Sequence, residues 1–406
     1  KDLITFTPQL LDAGALASYE FAITDAAGTS VYSVKSTETL PAIFQWDGKT
    51  DSGARAPDGI YRASIKVVTQ SGSSAASAPV QFALDVTAPS VAAATAWTIF
   101  SPDGDGVQDL ISVKTDNCSE ETLWTAEVKD SSGKSVKKYT WNGTIAKETK
   151  GVFEWDGTAD SGGKAKDGVY SIVISAEDAA GNTFSTALAN LTLDGRETKA
   201  FVTAEHEGIS PNGDKNLEAQ TFTVRTTVPD GILSWSFDVK GEDGKSVRNW
   251  TGKENEPIPA AFVWDGMNAS GKAAEGTFFG ALQIAYKKGN KVNALSAPFV
   301  CTATPPVLDV QTTPKYFSPD NDGTDDDLFI RLKGETKAFI KNWSFVIGDP
   351  KGRAFWKVSG KNSITERMTW DGLSNMQKDS SGRAERVQSA TDYPYTFTVT
   401  DSLGMT

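Results

Sequence analysis

Two acidic loops carry the side chains in this sequence that are best suited to binding chemistry. Each loop places aspartates at positions 1, 3 and 7, with a backbone carbonyl available at position 5. Crowded carboxylates repel one another unless a cation lies among them, and Ca²⁺ takes several oxygen ligands of this kind. The sequence therefore predicts two calcium sites, formed by Asp103, Asp105, Val107 and Asp109 and by Asp320, Asp322, Thr324 and Asp326.

The predicted calcium sites would be weak and structural. Their spacing is similar to the first half of an EF-hand loop, but the distal bidentate glutamate of that motif is absent, so we expect a dissociation constant of ~10⁻⁴–10⁻³ M. An alternative needs no ion, because Asp and Asn side chains also close tight turns by accepting backbone hydrogen bonds. In a third loop, Asn212 to Glu218, Lys215 replaces a glycine and one acid is lost, which favours the ion-free alternative.

The sequence offers little for catalysis. His206 is the only histidine, which argues against Ser-His-Asp, Cys-His and histidine-based zinc sites. No phosphate-binding loop or dinucleotide fingerprint is present. Paired carboxylates serve glycoside hydrolysis in some enzymes, but here the acidic pairs recur along the chain, as turn residues do and a single active site does not. We predict that the chain is not an enzyme.

A repeat of about 108 residues organises the chain. One motif, Trp-Asp-Gly, recurs with spacings of 109, 109 and 106 residues, and a second, an aromatic residue or Ile followed by Ser-Pro, recurs with spacings of 109 and 108. Two motifs with one period predict repeats of one fold, and this length suits a β-sandwich domain. The motifs begin at Trp46, Trp155, Trp264 and Trp370, and at Phe100, Ile209 and Phe317.

Short alternating runs bounded by Asp, Asn, Ser and Gly indicate strands, as in the segment from Val169 to Ser175. In each Trp-Asp-Gly motif, we expect the indole to end a strand inside the core. The Asp should accept hydrogen bonds from backbone N–H groups two residues on, and the Gly should take a positive φ. The predicted fold is all-β, with four tandem immunoglobulin-like β-sandwich domains.

The period sets the predicted domains at residues 1–89, 90–195, 196–304 and 305–406. Short linkers, two of them with proline, predict a semi-rigid, elongated, monomeric rod on the order of 150 Å long. Aligned on the period, the first repeat lacks its Ser-Pro opening and the last lacks its final strand, so a fragment of a longer protein is expected. Asp371 to Asp392 makes the fourth repeat divergent.

Composition limits the partners. The net charge of −12 argues against nucleic acid, and no apolar stretch is long enough to span a membrane.

Cys118 and Cys301 are 183 residues apart and fall in different repeats, so we expect two reduced thiols rather than a disulfide.

These motifs resemble the immunoglobulin-like module of the bacterial flagellar hook-capping protein, relatives of which occur in tandem in envelope proteins of spirochaetes. The resemblance is carried by Trp155 to Lys164 with Asp167 to Tyr170, and by Trp46 to Tyr61. The segment Phe100 to Asp109 is similar to surface modules associated with gliding-motility secretion. The third repeat departs at Glu275, where the first two have Asp, and the fourth departs through its longer segment Asp371 to Asp392. The resemblance implies an immunoglobulin-like fold and export to the periplasm, the outer membrane or the cell surface.

The predicted function is that of a structural spacer or tether of the cell envelope, whose exposed loops bind protein partners or envelope components. One alternative is an adhesin with an aromatic patch on a single repeat, for which the region of Trp343 and Trp356 and the segment Asp371 to Asp392 are candidates. Another is the accessory stalk of a larger enzyme.

Overall fold

The computed structural model describes residues 3–11, 14–388 and 391–406, and nearly all of their regular structure is β-strand. The chain divides into two compact units, Lys1–Gly195 and Arg196–Thr406. Each unit holds two repeats, and each repeat has its own hydrophobic cluster. The prediction of an all-β chain of immunoglobulin-like sandwiches is confirmed, while the exact domain boundaries stay a prediction.

The first unit contains repeats one and two. In repeat one, β1 to β7 are Ile4–Phe6, Leu16–Thr24, Ser30–Ser36, Phe44–Trp46, Gly59–Thr69, Ser74–Ala76 and Val80–Leu84. One sheet pairs β1 with β4, and the other has the order β3-β2-β5-β6, with β7 also on β5. In repeat two, β8 to β15 are Ala92–Thr95, Ile99–Phe100, Ile111–Asp116, Glu121–Asp130, Ser135–Gly143, Val152–Trp155, Gly168–Glu177 and Thr183–Leu193. The sheets of repeat two run β13-β10-β8 and β12-β11-β14-β15-β9.

The second unit contains repeats three and four. In repeat three, β16 to β24 are Ala200–Ala204, Gly208–Ile209, Gln220–Thr226, Ile232–Gly241, Ser246–Lys253, Ala261–Trp264, Gly276–Tyr286, Lys291–Leu295 and Phe299–Cys301. Its sheets run β16-β18-β21 and β17-β24-β22-β19-β20, with β23 on β22. In repeat four, β25 to β32 are Val307–Thr313, Leu328–Glu335, Ile340–Gly348, Ala354–Asn362, Arg367–Trp370, Leu373–Lys378, Ala384–Arg386 and Tyr395–Asp401. They pair as β25-β26-β29, β28-β27-β32 and β30-β31.

Alternation of side chains explains these strands. In β14, the residues at every second position are buried, from Tyr170 to Ala176, while those between them face outward. A strand turns successive side chains to opposite faces, so this pattern buries one face against the facing sheet. The short helix α1, Ile145–Thr149, lies between β12 and β13. In the described part of the chain, no helix has the length and apolar character that crossing a membrane requires.

The Trp-Asp-Gly motif has one geometry in all four repeats. Each indole is buried at the end of its strand, and each Gly has a φ between 72° and 78°. Each Asp carboxylate accepts a hydrogen bond from the backbone N–H two residues on, at 3.0 to 3.1 Å. The three expectations for this motif are therefore confirmed. A fourth bond was not predicted: the indole N–H donates to the carbonyl three residues on, from Trp46 to Lys49, Trp155 to Thr158, Trp264 to Met267 and Trp370 to Leu373.

The two recurring motifs are in contact in the three repeats that carry both of them. The proline of the Ser-Pro motif packs on the glycine of the Trp-Asp-Gly motif. A Cβ added at Gly266 would lie 2.7 Å from Pro211 Cγ, and one at Gly372 would lie 2.6 Å from Pro319 Cγ. At Gly157 the corresponding distance to Pro102 Cγ is 3.2 Å.

Each of the first three repeats holds its outgoing linker with a carboxylate. The acidic residue before the long central strand accepts a hydrogen bond from a linker N–H, at 2.8 to 2.9 Å. Glu275, which departs from the resemblance, keeps this role, and its carboxylate also accepts the hydroxyls of Thr302 and Thr304, as that of Asp58 accepts the hydroxyl of Thr87. The pairs are Val86 N to Asp58, Gly195 N to Asp167 and Ala303 N to Glu275.

We expect Gly266→Ala to destabilise the third repeat by about 1–3 kcal/mol more than Gly271→Ala does, because forcing atoms into a packed contact costs energy of this order. The two glycines are matched, since both have a φ of 72° and lie in the same repeat. Only Gly266 is packed against Pro211, whereas a Cβ at Gly271 meets nothing within 4 Å. Hydrogen exchange of the β22 amides across a urea series measures the difference. Equal losses in the two variants would show that the proline contact contributes nothing.

Candidate metal sites

The acidic loop of the second repeat lies at the end of the sandwich from which the chain leaves. It follows β9, which pairs in parallel with the end of the last strand, β15. The N–H of Asp194 donates to the carbonyl of Phe100 at 3.0 Å, so the loop lies beside the start of the outgoing linker. The loop of the fourth repeat lies beside its own Trp-Asp-Gly turn, because Pro319 packs on Gly372.

In the second repeat, the loop is closed by its own aspartates. Asp109 is central, because its two carboxylate oxygens accept the N–H groups of Gly104 and Gly106 at 2.7 and 2.8 Å. The other bonds run from Asp105 N to Asp103 at 3.2 Å, from Val107 N to Asp105 at 2.7 Å and from the Ser101 hydroxyl to Asp103 at 3.3 Å. The backbone-capping turn that the sequence offered as an alternative is therefore formed.

The loop of the fourth repeat has the same bonding. Asp326 accepts the N–H groups of Asn321 and Gly323 at 2.6 and 2.9 Å. The remaining bonds run from Asp322 N to Asp320 at 3.2 Å, from Thr324 N to Asp322 at 2.8 Å and from the Ser318 hydroxyl to Asp320 at 3.2 Å. Two loops more than two hundred residues apart in sequence thus fold alike because their donors and acceptors have the same spacing.

The structure brings all six predicted aspartates into two clusters. In each loop, one oxygen from each of the three carboxylates lies within 4.8 Å of the others. The clusters are Asp103 with Asp105 and Asp109, and Asp320 with Asp322 and Asp326. Three converging carboxylates fit a hard cation such as Ca²⁺, which relieves their mutual repulsion. Coordination by the carbonyls of Val107 and Thr324 stays a prediction.

A basic side chain ties each cluster-bearing loop to the hairpin after its Trp-Asp-Gly motif. The Lys164 amine donates to the carbonyl of Pro102 at 2.9 Å, and the Arg386 guanidinium donates to the carbonyl of Pro319. Each cation lies next to an acidic loop and reduces the local negative potential. Sequence reasoning missed these bonds, although Lys164 belongs to the segment that carries the family resemblance.

The third loop satisfies its carboxylates with protein donors. Asp214 accepts the N–H of Asn216 at 2.7 Å with one oxygen, and the side-chain amide of Asn212 at 3.0 Å with the other. Glu218 accepts the N–H of Lys215 at 2.9 Å. The side-chain N–H of Asn212 thus occupies an oxygen of Asp214 that could otherwise bind a cation. The hydroxyl of Ser210, which is buried, finds no hydrogen-bond partner among the described residues.

The backbone of His206, between β16 and β17, is hydrogen-bonded to the side chain of Gln220. Its N–H donates to the side chain of Gln220 at 3.0 Å, and its carbonyl accepts from the same side chain at 2.7 Å. The imidazole is half-buried and lies 3.8 Å from the carboxylate of Glu205. Glu205 is exposed and directly precedes His206 in the chain, so this contact is a local one at the surface.

Both cysteines are free thiols, as the sequence predicted. Cys301 is buried, and its thiol lies 3.7 Å from the carbonyl of Gly266. Burial, assisted by the negative charge of Glu275, raises the pKa of Cys301 to about 12. Cys118 is half-buried beside the N–H of Ile145, and burial raises its pKa as well.

The sequence-based candidates for an adhesive patch are only partly at the surface. Trp343 is buried, and Trp356 packs against the fourth core, so their region is not an exposed aromatic patch. The segment Asp371 to Asp392 forms the β30–β31 hairpin, apart from residues 389–390, which lie outside the described residues.

Exposed aromatic side chains lie elsewhere in the second unit. Tyr316 and Phe339 are 77% and 78% exposed, and Phe201, Phe329 and Tyr395 are also exposed. Four of these five residues belong to the fourth repeat. The sequence holds a signal for Phe329, because it alternates with the buried residues Ile330 and Leu332 and must therefore face outward.

Comparison with known proteins agrees with the motif analysis. The model of the FlgD Ig-like domain matches residues 7–73 and 103–180, which confirms the resemblance for these two segments. A search of curated proteins finds no match.

Several solved structures resemble the chain. One is a tetra-tandem repeat in the extending region of a large adhesion protein (17% identity, 98% of this chain and 95% of that one, TM-score 0.29). Another concerns host cell surface retention of a 1.5-MDa bacterial ice-binding adhesin (14% identity, 74% and 90%, TM-score 0.31). A third contains the fibronectin(III)-like modules of Clostridium thermocellum CbhA (14% identity, 52% and 95%, TM-score 0.27).

We expect Cys301 to resist alkylation by iodoacetamide in the native protein at pH 8. Cys118 should react faster, because part of its side chain is exposed to solvent. Burial holds the Cys301 pKa above the ordinary 9.0, so the reactive thiolate is scarce in the folded state. Because the unfolded thiol ionises at a lower pH than the folded one, the free energy of unfolding is unaffected by this group below the unfolded pKa and falls as the pH rises above it. Peptide mass spectrometry with and without guanidinium measures the labelling. Equal rates for the two native thiols would contradict this assignment.

Proposed function

We propose, from the premise that the segments at residues 7–73 and 103–180 are FlgD Ig-like domains, that this chain is a non-catalytic spacer or tether of the bacterial cell envelope. The observation that carries this proposal is the Trp-Asp-Gly turn, which closes four separate cores with the same hydrogen bonds. Repeated units with their own cores supply length and spacing, and their contacts are mainly with neighbouring repeats. A single active site would instead distinguish one repeat from the others.

The proposed setting is outside the cytoplasm, in the periplasm, at the outer membrane or on the cell surface. An acidic chain with exposed loops at the ends of its sandwiches suits binding to protein partners or other envelope components. The net charge of −12 disfavours nucleic acid as a partner. An origin in spirochaetes belongs to the same proposal.

Calcium is the proposed ligand of the two acidic clusters. Each cluster gathers three carboxylates within 4.8 Å, in a loop whose backbone is already fixed by hydrogen bonds. Because the turn forms through these internal bonds, an ion would add rigidity without being needed to fold the loop. The cluster in the second repeat lies beside the outgoing linker, so a bound ion would stiffen the point at which the chain leaves that repeat.

We expect Ca²⁺ to bind with a dissociation constant of ~10⁻⁴–10⁻³ M. Asp322→Asn should weaken binding at the fourth repeat about tenfold or more, since hydrogen bonds and contacts to a charged group are worth about 1.5–3 kcal/mol. Isothermal titration calorimetry with the Asp103→Asn, Asp105→Asn double variant isolates the fourth site from the second.

Asp325→Asn is the matched control for this titration. It removes the same charge from the same loop, but Asp325 lies outside the cluster, and its φ of 50° suits asparagine. The control should change the affinity by less than about twofold, because exposed charges interact weakly through water. If the wild-type chain gives no heat and no rise in melting temperature in millimolar Ca²⁺, the calcium proposal is wrong.

A second candidate function, adhesion to a host or matrix surface, is favoured by the aromatic residues exposed on the fourth repeat. Tyr316, Phe329 and Phe339 are each more than half exposed, and the exposed large apolar residues of the first two repeats are aliphatic. Aromatic side chains are enriched at protein interfaces, and exposed apolar surface marks sites of interaction.

A triple variant separates these two functions. We expect the substitutions Tyr316→Ser, Phe329→Ser and Phe339→Ser to leave a spacer unaffected, because the side chains are outside the core. Attachment of beads that carry the full chain to surfaces coated with matrix proteins provides the measurement. Wild-type attachment that the triple variant loses, with unchanged thermal melting, would favour adhesion over the spacer.

A further inference from the structure

A rigid turn at the end of the fourth repeat packs against the third repeat. The turn, 401–405, is organised by Asp401, a buried carboxylate that accepts the N–H groups of Leu403 and Met405 at 3.0 Å each. The hydroxyl of Thr336 lies 3.3 Å from its other oxygen. Leu403 and Met405 are both buried, so the turn is a packed element and not a solvated tip.

The partner of this turn is the opening segment of the third repeat. The side-chain amide of Asn216 donates to the carbonyl of Leu403 at 3.1 Å. Gly208 makes room for the Leu403 side chain, because a Cβ at Gly208 would lie 2.7 Å from Leu403 Cδ2. One hydrogen bond and one close apolar contact thus join the two repeats at the base of the third loop.

The residues that make this contact differ from their counterparts in the other repeats. Gly208 corresponds to Ile99 in the second repeat and to Tyr316 in the fourth. Asn216 occupies the position at which the acidic loops have Val107 and Thr324. Both positions carry what the contact requires, which is no side chain at residue 208 and an amide donor at residue 216.

The third loop also lacks two features of the acidic loops that would attract a cation. Asn212 stands where the acidic loops have aspartate, and its amide N–H bonds to Asp214 at 3.0 Å. Lys215 stands where they have glycine. The carboxylates of the third loop are satisfied by protein N–H donors, so its conformation needs no ion.

The second repeat shows that this turn is used more than once. Its counterpart, 178–182, is organised by Asp178, which accepts the N–H groups of Ala180 and Asn182 at 2.9 Å. The side-chain amide of Asn182 donates to the carbonyl of Asp85, at the end of the first repeat, at 3.2 Å. In both units, therefore, this turn contacts the preceding repeat.

We propose that the third opening loop is a metal-independent latch, in which Asn216 and Gly208 hold the Leu403 turn and fix the fourth repeat on the third. The loop uses a framework that the second and fourth repeats devote to carboxylate clusters, but it binds a protein turn instead of an ion. The latch stands apart from the proposed calcium binding, since its residues lie outside both clusters.

The test measures the distance between the two repeats in the full chain. Spin labels are placed by Lys291→Cys in the third repeat and Lys361→Cys in the fourth, both exposed positions. Cys118→Ser removes the accessible native thiol, and Cys301 stays buried. Pulsed electron–electron double resonance then gives the width of the distance distribution in EDTA and in millimolar Ca²⁺.

We expect a narrow distribution that is the same in EDTA and Ca²⁺. Asn216→Val, which installs the residue of the second loop, together with Leu403→Ala should broaden it at least about twofold, since both the hydrogen bond and the packing are lost. Lys215→Gly, which installs the residue of the acidic loops at an exposed position with a φ of 71°, is the control in the same loop, away from the contact, and should leave the distribution narrow. Hydrogen exchange of β22 and β27 verifies that both repeats stay folded.

Two results would overturn the latch. One is a wild-type distribution that is broad in EDTA and narrows with Ca²⁺, which would make the joint metal-dependent. The other is an unchanged narrow distribution in the Asn216→Val, Leu403→Ala variant. If Leu403→Ala unfolds the fourth repeat, Asn216→Val alone decides the question, because Asn216 is in an exposed loop of the third repeat. Neither result bears on calorimetric calcium binding at Asp322.

Discussion

The hydrogen bond from a buried indole N–H to the carbonyl three residues on is the interaction on which each repeat depends. It lets a large apolar ring end a strand inside the core without leaving its one polar group unpaired. The same bond closes the turn around a glycine of positive φ, and that glycine gives the Ser-Pro proline a surface to pack on. Core, turn and opening loop are thereby fixed together, which accounts for the regular placement of the loops.

A fixed framework lets the loops differ in what they hold. In the second and fourth repeats, the backbone bonds to Asp109 and Asp326 bring three carboxylates together. In the third repeat, the Asn212 amide donates to Asp214 at the position where the acidic loops have a third carboxylate. A change from carboxylate to amide replaces one acceptor oxygen by an N–H donor, so Asn212 adds a hydrogen bond to Asp214 where the acidic loops have a further negative charge.

Local features of this chain could be predicted from the sequence, and long-range ones could not. The burial of Trp155, the capping by Asp156 and the positive φ of Gly157 follow from a tripeptide and elementary turn chemistry. The carboxylate clusters also follow from local spacing. The clamp at Glu275 and the proline contacts depend on which strand ends lie together, which spacing alone does not give.

The surface was the least predictable part. Trp343 was expected near a binding patch because its type suits one, but the alternation of β27 turns it into the core. The alternation of β26 likewise turns Phe329 to the solvent, because its neighbour Ile330 faces the core. Residue type is therefore a poorer guide to exposure than strand phase in these repeats.

The carboxylate clamps on the outgoing linkers have a mechanical consequence. In a chain under tension, load enters a sandwich through its terminal segment, and the bond from Gly195 N to Asp167 lies ahead of the β15 ladder. A single side-chain bond at this point is weaker than the ladder of backbone bonds behind it, so it would open before the sheet does. In the first three repeats, opening of this bond would therefore lengthen the outgoing linker before a strand is pulled out.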